Sequence, residues 1–269
     1  MRQFSWKSIN HFFSIYWKNL IKIIGIFLIT FSFFSCSFLS KADTQTETQI
    51  DPNLEAQVLQ IIRNNPETIL ESVQNYQQRQ IEQQEQEKQS LLDKMKTDPQ
   101  SFIKESPVFG SASAKLVMFE FSDFQCPYCA RGAATLKQFM DKHSNEIRLV
   151  YKHFPLTEIH PQATPSAKAS WAAMKQGKFW EYHYALFSNQ NRLGEDLYTE
   201  IAQSLNLNLE KFNSDRNSTN AQTAIDQDLE IARQLELSGT PTFVLNGELF
   251  SGALSLENFE AKLTQAQQN

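Results

Sequence analysis

The alternation of apolar and polar positions divides the chain into segments with different periods, and each period predicts a different structure. Ile23 to Leu39 is apolar apart from Gly25, Thr30, Ser32, Ser35, Cys36 and Ser37. Upstream, Phe4, Trp6, Ile9, Phe12, Phe13, Tyr16, Trp17 and Leu20 repeat at helical spacing, as in a helix lying at a membrane interface. Residues 43–50 are polar, show no period and read as a tether. From 51 to 96 the pattern is helical, with Leu54, Val58, Ile61, Ile62, Ile69, Leu70, Val73 and Tyr76 at three- and four-residue steps. Asp51-Pro52 supplies an N-cap and first helical position, and Pro66 predicts a break or restart. Between Gln77 and Ser90 the one apolar residue is Ile81, so that stretch has no face to bury by itself. It reads either as a solvated helical stalk or as part of an oligomerisation segment whose packed seam is Leu54 to Tyr76.

Asp98-Pro99 and Ser106-Pro107 mark residues 97–112 as a linker, with the next domain running from Ser113 to the end. Lys115 to Phe121 is rich in strand formers and is followed by a turn and a helix over Pro127 to His143. Ile147 to Phe154 is a second strand, and 156–238 is almost entirely helical in pattern. Thr242 to Asn246, a turn at Gly247, Leu249-Phe250 and a helix from Ser255 to Gln267 complete the chain. Without the helical block, the order is strand, helix, strand, then strand, strand, helix. That is an α/β arrangement, a mixed sheet flanked by helices.

Charge sharpens the division. Residues 1–42 carry Arg2, Lys7, Lys18, Lys22 and Lys41 and no acid, a charge of +5 that leaves -10 on the rest of a chain whose net charge is -5. A basic end followed by an apolar run predicts an export leader, with the body beyond the cytoplasmic membrane. Phe33-Phe34-Ser35-Cys36 resembles a lipoprotein box, which makes Cys36 a lipidation candidate. Phe33 departs from the usual leucine. Cleavage after Ser40-Lys41-Ala42, retention as a signal anchor, and Cys36 as a small apolar filler are the alternatives. The acidic body argues against a nucleic-acid binder. With 20% charged residues, eight Gly and nine Pro, the chain is neither collagenous nor fully disordered. Three cysteines are too few for a disulfide scaffold or a four-cysteine zinc site.

The other two cysteines stand together in Cys126-Pro127-Tyr128-Cys129, where the first strand meets its helix. A cysteine at a helix N-terminus faces unpaired N–H groups and the positive end of the macrodipole, which lowers a thiol pKa from about 8.5 into a range of about 3.5–7.5. Pro127 suits the first helical position because no needed N–H is lost. Cys129 lies one turn further on, within reach of a disulfide. The pair reads as a redox dithiol, with a structural dithiol or a two-thiolate copper(I) site as alternatives.

Phe119-Glu120-Phe121-Ser122-Asp123-Phe124-Gln125 together with the Cys-Pro-Tyr-Cys motif resembles the active-site strand and helix of the DsbA-like thiol:disulfide oxidoreductases of the thioredoxin superfamily. Gly177 to His183 resembles part of their inserted helical domain, and Ser238-Gly239-Thr240-Pro241-Thr242 their cis-proline loop. The resemblance covers 113–269 and implies a thioredoxin-like fold with a helical insertion at 156–238. It further implies that Cys126 and Cys129 exchange disulfides, that Pro241 is cis and packs against the sulfurs, and that Pro127, Tyr128 and the Thr240 backbone meet substrate. It also makes Glu120 an acid serving the buried cysteine, with Lys152 on the neighbouring strand as its partner; an edge-strand or salt-bridge role is the alternative. Asp123 reads as a turn residue, and Trp171, Trp180, Tyr184 and Phe187 as core of the insertion. His143, His153, His160 and His183 show no ligand spacing, and neither a metal nor a cofactor is expected.

The expected function is thus extracytoplasmic formation, reduction or isomerisation of disulfides. The expected partners are exported proteins with thiols or disulfides and a membrane redox partner, with a homo-oligomer possible through 51–95. The same tetrapeptide occurs in glutaredoxins and leaves the direction open, whereas Thr240 resembles isomerase-type relatives. A glutathione-dependent reductase and a tethered copper(I)- or client-binding module are the competing readings.

Overall fold

The computed structural model describes residues 51–268. The leader, the tether and Cys36 lie outside the described residues. Among the described residues no helix is long and apolar enough to cross a membrane. The chain divides into two compact units, one ending at Ile69 and the other beginning at Leu70.

Helix α1 (Pro52–Asn64) starts as the sequence predicts: the Asp51 side chain accepts the Asn53 N–H, and Pro52 occupies the first turn. It buries no residue, and Leu54, Val58, Ile61 and Ile62 are exposed. Pro66 opens α2 (Pro66–Thr97), whose polar stretch is laced by Gln78–Glu82, Gln83–Glu87 and Gln89–Asp93 bonds of 2.9 Å. Such i,i+4 pairs support a helix that has little apolar face. Near its end α2 buries Leu92 and Met95 in the core of the second unit.

Residues 97–112, expected to be a linker, instead hold a helical turn, α3 (Gln100–Ile103), and a two-residue strand, β1 (Val108–Phe109). β1 is too short to give a periodic signal. Its neighbour sets its place, since Val108 and Phe109 pair antiparallel with Val150 and Leu149 of β3 (Ile147–His153). Gly110, at φ +110, makes the turn after β1, where a Cβ would lie 2.5 Å from the Ile147 carbonyl.

The sheet order is β1-β3-β2-β4-β5, with β2 (Leu116–Ser122) parallel to β3 and antiparallel to β4 (Thr242–Leu245). β5 (Glu248–Ser251) pairs with β4 through an Asn246-Gly247 turn, where both residues take the positive φ that a tight two-residue hairpin requires. Strand alternation gives the sheet two apolar faces. Val117, Phe119 and Phe121 pack with Leu92, Met95 and α9 (Thr219–Gln234). Met118, Leu149 and Phe243 pack with α4 (Pro127–His143) and α10 (Leu256–Gln268).

Between β3 and β4 the chain makes its helical excursion: α5 (Ala163–Met174), α6 (Phe179–Ser188), a 3₁₀ turn at Gln190–Arg192, α7 (Glu195–Ser204), α8 (Leu209–Arg216) and α9. Trp171 and Phe187 are buried there, as expected. Trp180 and Tyr184 are only half-buried. Trp180 clips the insertion to the sheet edge, its indole N–H donating to the Val108 carbonyl at 3.0 Å and its ring meeting Phe109 edge-on.

Candidate active site

The two cysteines sit where the end of β2, the start of α4 and the helical insertion converge. Cys126 is the N-cap of α4, with extended backbone (φ -71, ψ 121) and Pro127 in the first turn. Asp123 shapes the preceding turn: its carbonyl accepts the Cys126 N–H at 3.1 Å and its Oδ1 the Gln125 N–H at 2.8 Å. It does more than turn the chain, since Oδ2 accepts the Leu156 N–H at 3.0 Å and bonds the His160 ring at 2.7 Å. Both cysteines are free thiols, 4% and 2% exposed, and they share an apolar cluster with Phe124, Tyr151 and the helices of the insertion.

Their electrostatics diverge. Cys126 is drawn down to about 5, first by the hydrogen bond from the Cys129 thiol, against the cost of burial, then by contacts to Thr240 and the backbone of Cys129 and Tyr128. Cys129 moves the other way, raised by burial and then by its bond to the Cys126 sulfur. One turn of helix therefore carries a ready thiolate and a thiol that keeps its proton.

The Thr240-Pro241 peptide is cis, and the Cys126 sulfur donates to the Thr240 carbonyl at 3.3 Å. Thr242 braces this loop, its hydroxyl bonding the Gly239 carbonyl at 2.8 Å and the Ser251 hydroxyl at 2.9 Å. Tyr128 stands 56% exposed beside the thiols, with the Arg131 guanidinium 4.2 Å from its ring centre. Cys126, Cys129, Pro127, Tyr128, Thr240 and Pro241 thus come together.

Glu120 lies one layer deeper, 2% exposed, paired in register with Tyr151 on one side and Phe243 on the other. Burial pushes its carboxyl up to about 7, which the neighbouring Ser122 hydroxyl offsets only in part. Ser122 lies near both the acid and the Cys129 thiol, and its buried hydroxyl has no hydrogen-bond partner among the described residues. The expected Lys152 partnership is not formed. Lys152 is one position out of register with Glu120, so its side chain points to the opposite face. There it bonds Asp228 of α9 at 2.8 Å and the Ser106 hydroxyl at 2.8 Å. Asp228 in turn accepts the His153 N–H at 2.9 Å.

The sequence did not point to His153 and His183 as neighbours of this site. Their rings close on Tyr151 at 5.1 and 5.3 Å between centres, and both are fully buried. Burial holds each well down, at about 3, so both are neutral. For His153 the signal was the period-two spacing to Tyr151 on β3; for His183, which comes from α6, there was none. Among the described residues no group of three or more His, Cys, Asp or Glu side chains is placed to hold a metal ion.

Residues 103–265 match the family model described as thioredoxin. Among curated proteins, the chain is 35% identical over 159 residues to "Na(+)/H(+) antiporter NhaA 1" of Salinispora arenicola, covering 59% of this chain and 24% of that one. The chain thus spans about a quarter of the length of the curated relatives it matches. A thioredoxin-like oxidoreductase from Silicibacter pomeroyi superposes with a TM-score of 0.58 at 28% identity, over 62% of this chain and 94% of that one. The thiol-disulfide exchange protein α-DsbA2 from Wolbachia pipientis shares the fold, with a TM-score of 0.59 at 20% identity over 66% and 95% of the two chains. Set beside the cis-proline loop and the paired thiols, these matches show that the chain belongs to the thioredoxin family.

Proposed function

We propose that the chain is an extracytoplasmic thiol–disulfide oxidoreductase working mainly in the oxidising direction. The observation that carries this reading is the contrast within one turn of α4, with Cys126 near 5 and Cys129 raised by burial. In the oxidised enzyme a substrate thiolate attacks the Cys126 sulfur. A substrate–Cys126 disulfide forms, the Cys126–Cys129 bond breaks, and Cys129 leaves and takes a proton. Glu120, protonated over much of the neutral range and with Ser122 near both it and Cys129, is the donor. A second substrate thiolate then attacks the substrate sulfur, and Cys126 departs as a thiolate. Two electrons pass from two substrate thiols to the pair. A leaving thiol of low pKa departs quickly and stabilises the reduced enzyme, which makes the disulfide form a stronger oxidant.

Tyr128 and the Thr240 backbone border the sulfur from which a client strand would be approached. The +5 leader supports action on exported proteins, with a membrane-bound redox partner to restore the disulfide. Equilibration with glutathione tests the reading. The Cys126/Cys129 pair is expected at a potential near or above the glutathione poise. Cys126→Ser abolishes exchange, and Cys129→Ser accumulates mixed disulfide with a reduced client. No exchange with glutathione, insulin or a reduced client, together with stoichiometric copper(I) on the two thiols, would defeat it.

A further inference from the structure

Gln190 lies 64 residues along the chain from Cys126, in the 3₁₀ turn between α6 and α7, yet its side chain grips the active-site turn. Its Nε2 donates to the Phe124 carbonyl at 2.8 Å and to the Cys126 carbonyl at 2.9 Å. Two carbonyl acceptors fix the orientation of the amide, because its own oxygen in their place would face other oxygens. The Cys126 carbonyl also accepts the first helical bond of α4, from the Ala130 N–H at 3.1 Å, while the Cys126 N–H is tied to Asp123. Both ends of the Cys126 residue are therefore held, and the outer hold comes from the insertion. A second tie from the same side meets Gln125, whose side-chain oxygen accepts the Gln162 N–H, with Tyr198 bonding the Gln162 side chain at 2.9 Å. That tie reaches the neighbouring residue, whereas Gln190 reaches the peptide of the cysteine itself.

We propose that Gln190 is a positioning residue for the Cys126 thiolate: by clasping the Phe124 and Cys126 carbonyls it fixes the N-cap backbone of α4 and keeps the sulfur at the N-terminal end of the helix. The inference deepens the thiol–disulfide reading and rests on it. A thiolate at a helix N-terminus is favoured by the positive end of the macrodipole, an effect that falls off within the first turn. Freeing the Cys126 carbonyl lets the N-cap rotate, and the sulfur moves off the positive end of α4. The insertion thereby tunes the chemistry of the thioredoxin fold through one carboxamide.

Gln190→Met keeps the length of the side chain and removes both donors, whereas Gln190→Glu turns acceptors toward two carbonyls. Ultraviolet titration of the Cys126 thiolate in the folded, reduced protein is the readout. We expect the midpoint to rise by about one unit in Gln190→Met, a tenfold loss of thiolate at fixed pH below the midpoint. The rise is larger in Gln190→Glu and partly reversed in Gln190→His, which restores one donor. The glutathione equilibrium shifts toward the disulfide form in the same order, because the reduced state has lost its stabilised thiolate. Midpoints and equilibria within twofold of the parent in folded Gln190→Met and Gln190→Glu would overturn the proposal and leave Gln190 a packing residue. Thermal unfolding of the oxidised proteins identifies a variant that fails to fold, and Gln190→His then decides against the parent by the same titration. A parent that exchanges nothing with glutathione sinks the oxidoreductase reading, while the order of midpoints still settles what Gln190 does.

Discussion

At the scale of single residues, Glu120 is held against its own charge. Its carboxyl, sealed between Tyr151 and Phe243, titrates at about 7 rather than at its ordinary 4.5. The folded state thus favours the neutral form. Stability from this group is complete below pH 4.5 and is lost as the pH rises through 7. The loss is on the order of 3 kcal/mol. In urea unfolding of the oxidised protein, Glu120→Gln should therefore gain more stability than the parent between pH 5 and pH 8, because the opposing loss at Glu120 is gone. An unchanged pH dependence in Glu120→Gln would assign it to another group. The residue-level chemistry was legible in part. Cys126, Cys129 and Glu120 are adjacent along one strand–helix junction, so a local motif reports them. Lys152 was misassigned because adjacency of strands does not give register, and a slip of one residue turns a side chain to the other face.

Among elements, the tie between β3 and α9 is the most exposed to damage. Lys152 and Asp228 form an ion pair at 2.8 Å, 1% and 8% exposed at the side chains, which joins the sheet to the insertion's last helix. Burial raises Asp228 even against the pull of Lys152. Removing one partner strands a buried charge, so Lys152→Met should destabilise by about 3–5 kcal/mol. Lys152→Met/Asp228→Leu should recover most of that loss. A double variant as unstable as the single one in urea unfolding would show that the pair's other bonds, to Ser106 and the His153 N–H, matter more. Helix α4 was readable to its ends because Pro127 fits a first turn and the apolar period stops at His143. β1 was not, since a two-residue strand exists only by pairing with β3. Gln190 and Asp228 escaped for the same reason: their partners lie 64 and 76 residues away.

For the whole molecule, the buried groups respond to pH in opposite directions. His153 and His183, held at about 3 by burial, favour the neutral ring in the folded state. Their contribution is complete above the ordinary 6.5 and is lost as the pH falls toward 3. By pH 4 this amounts to roughly 3 kcal/mol for each ring. Glu120 works against them between pH 4.5 and 7 but is outweighed by the two rings, so stability should rise from acid pH and level off near pH 7. His183→Phe, which keeps an aromatic ring among Phe124, Tyr151 and Phe187, should extend the acid limit. An acid transition unmoved by His183→Phe would show that this ring is not its cause.

The sheet order has one more effect. The chain leaves the thioredoxin core just beyond His153, where the Phe154 N–H still bonds the Ser122 carbonyl at 2.9 Å, and it returns through Pro241 into β4. Both seams of the insertion therefore run along the rim of the redox site. A lineage altering this lobe, by lengthening it, trimming it or exchanging its helices, would leave the strands and α4 intact while reshaping the surface beside the two thiols. Innovation in the lobe and selection on the cysteines are thus brought to a common border.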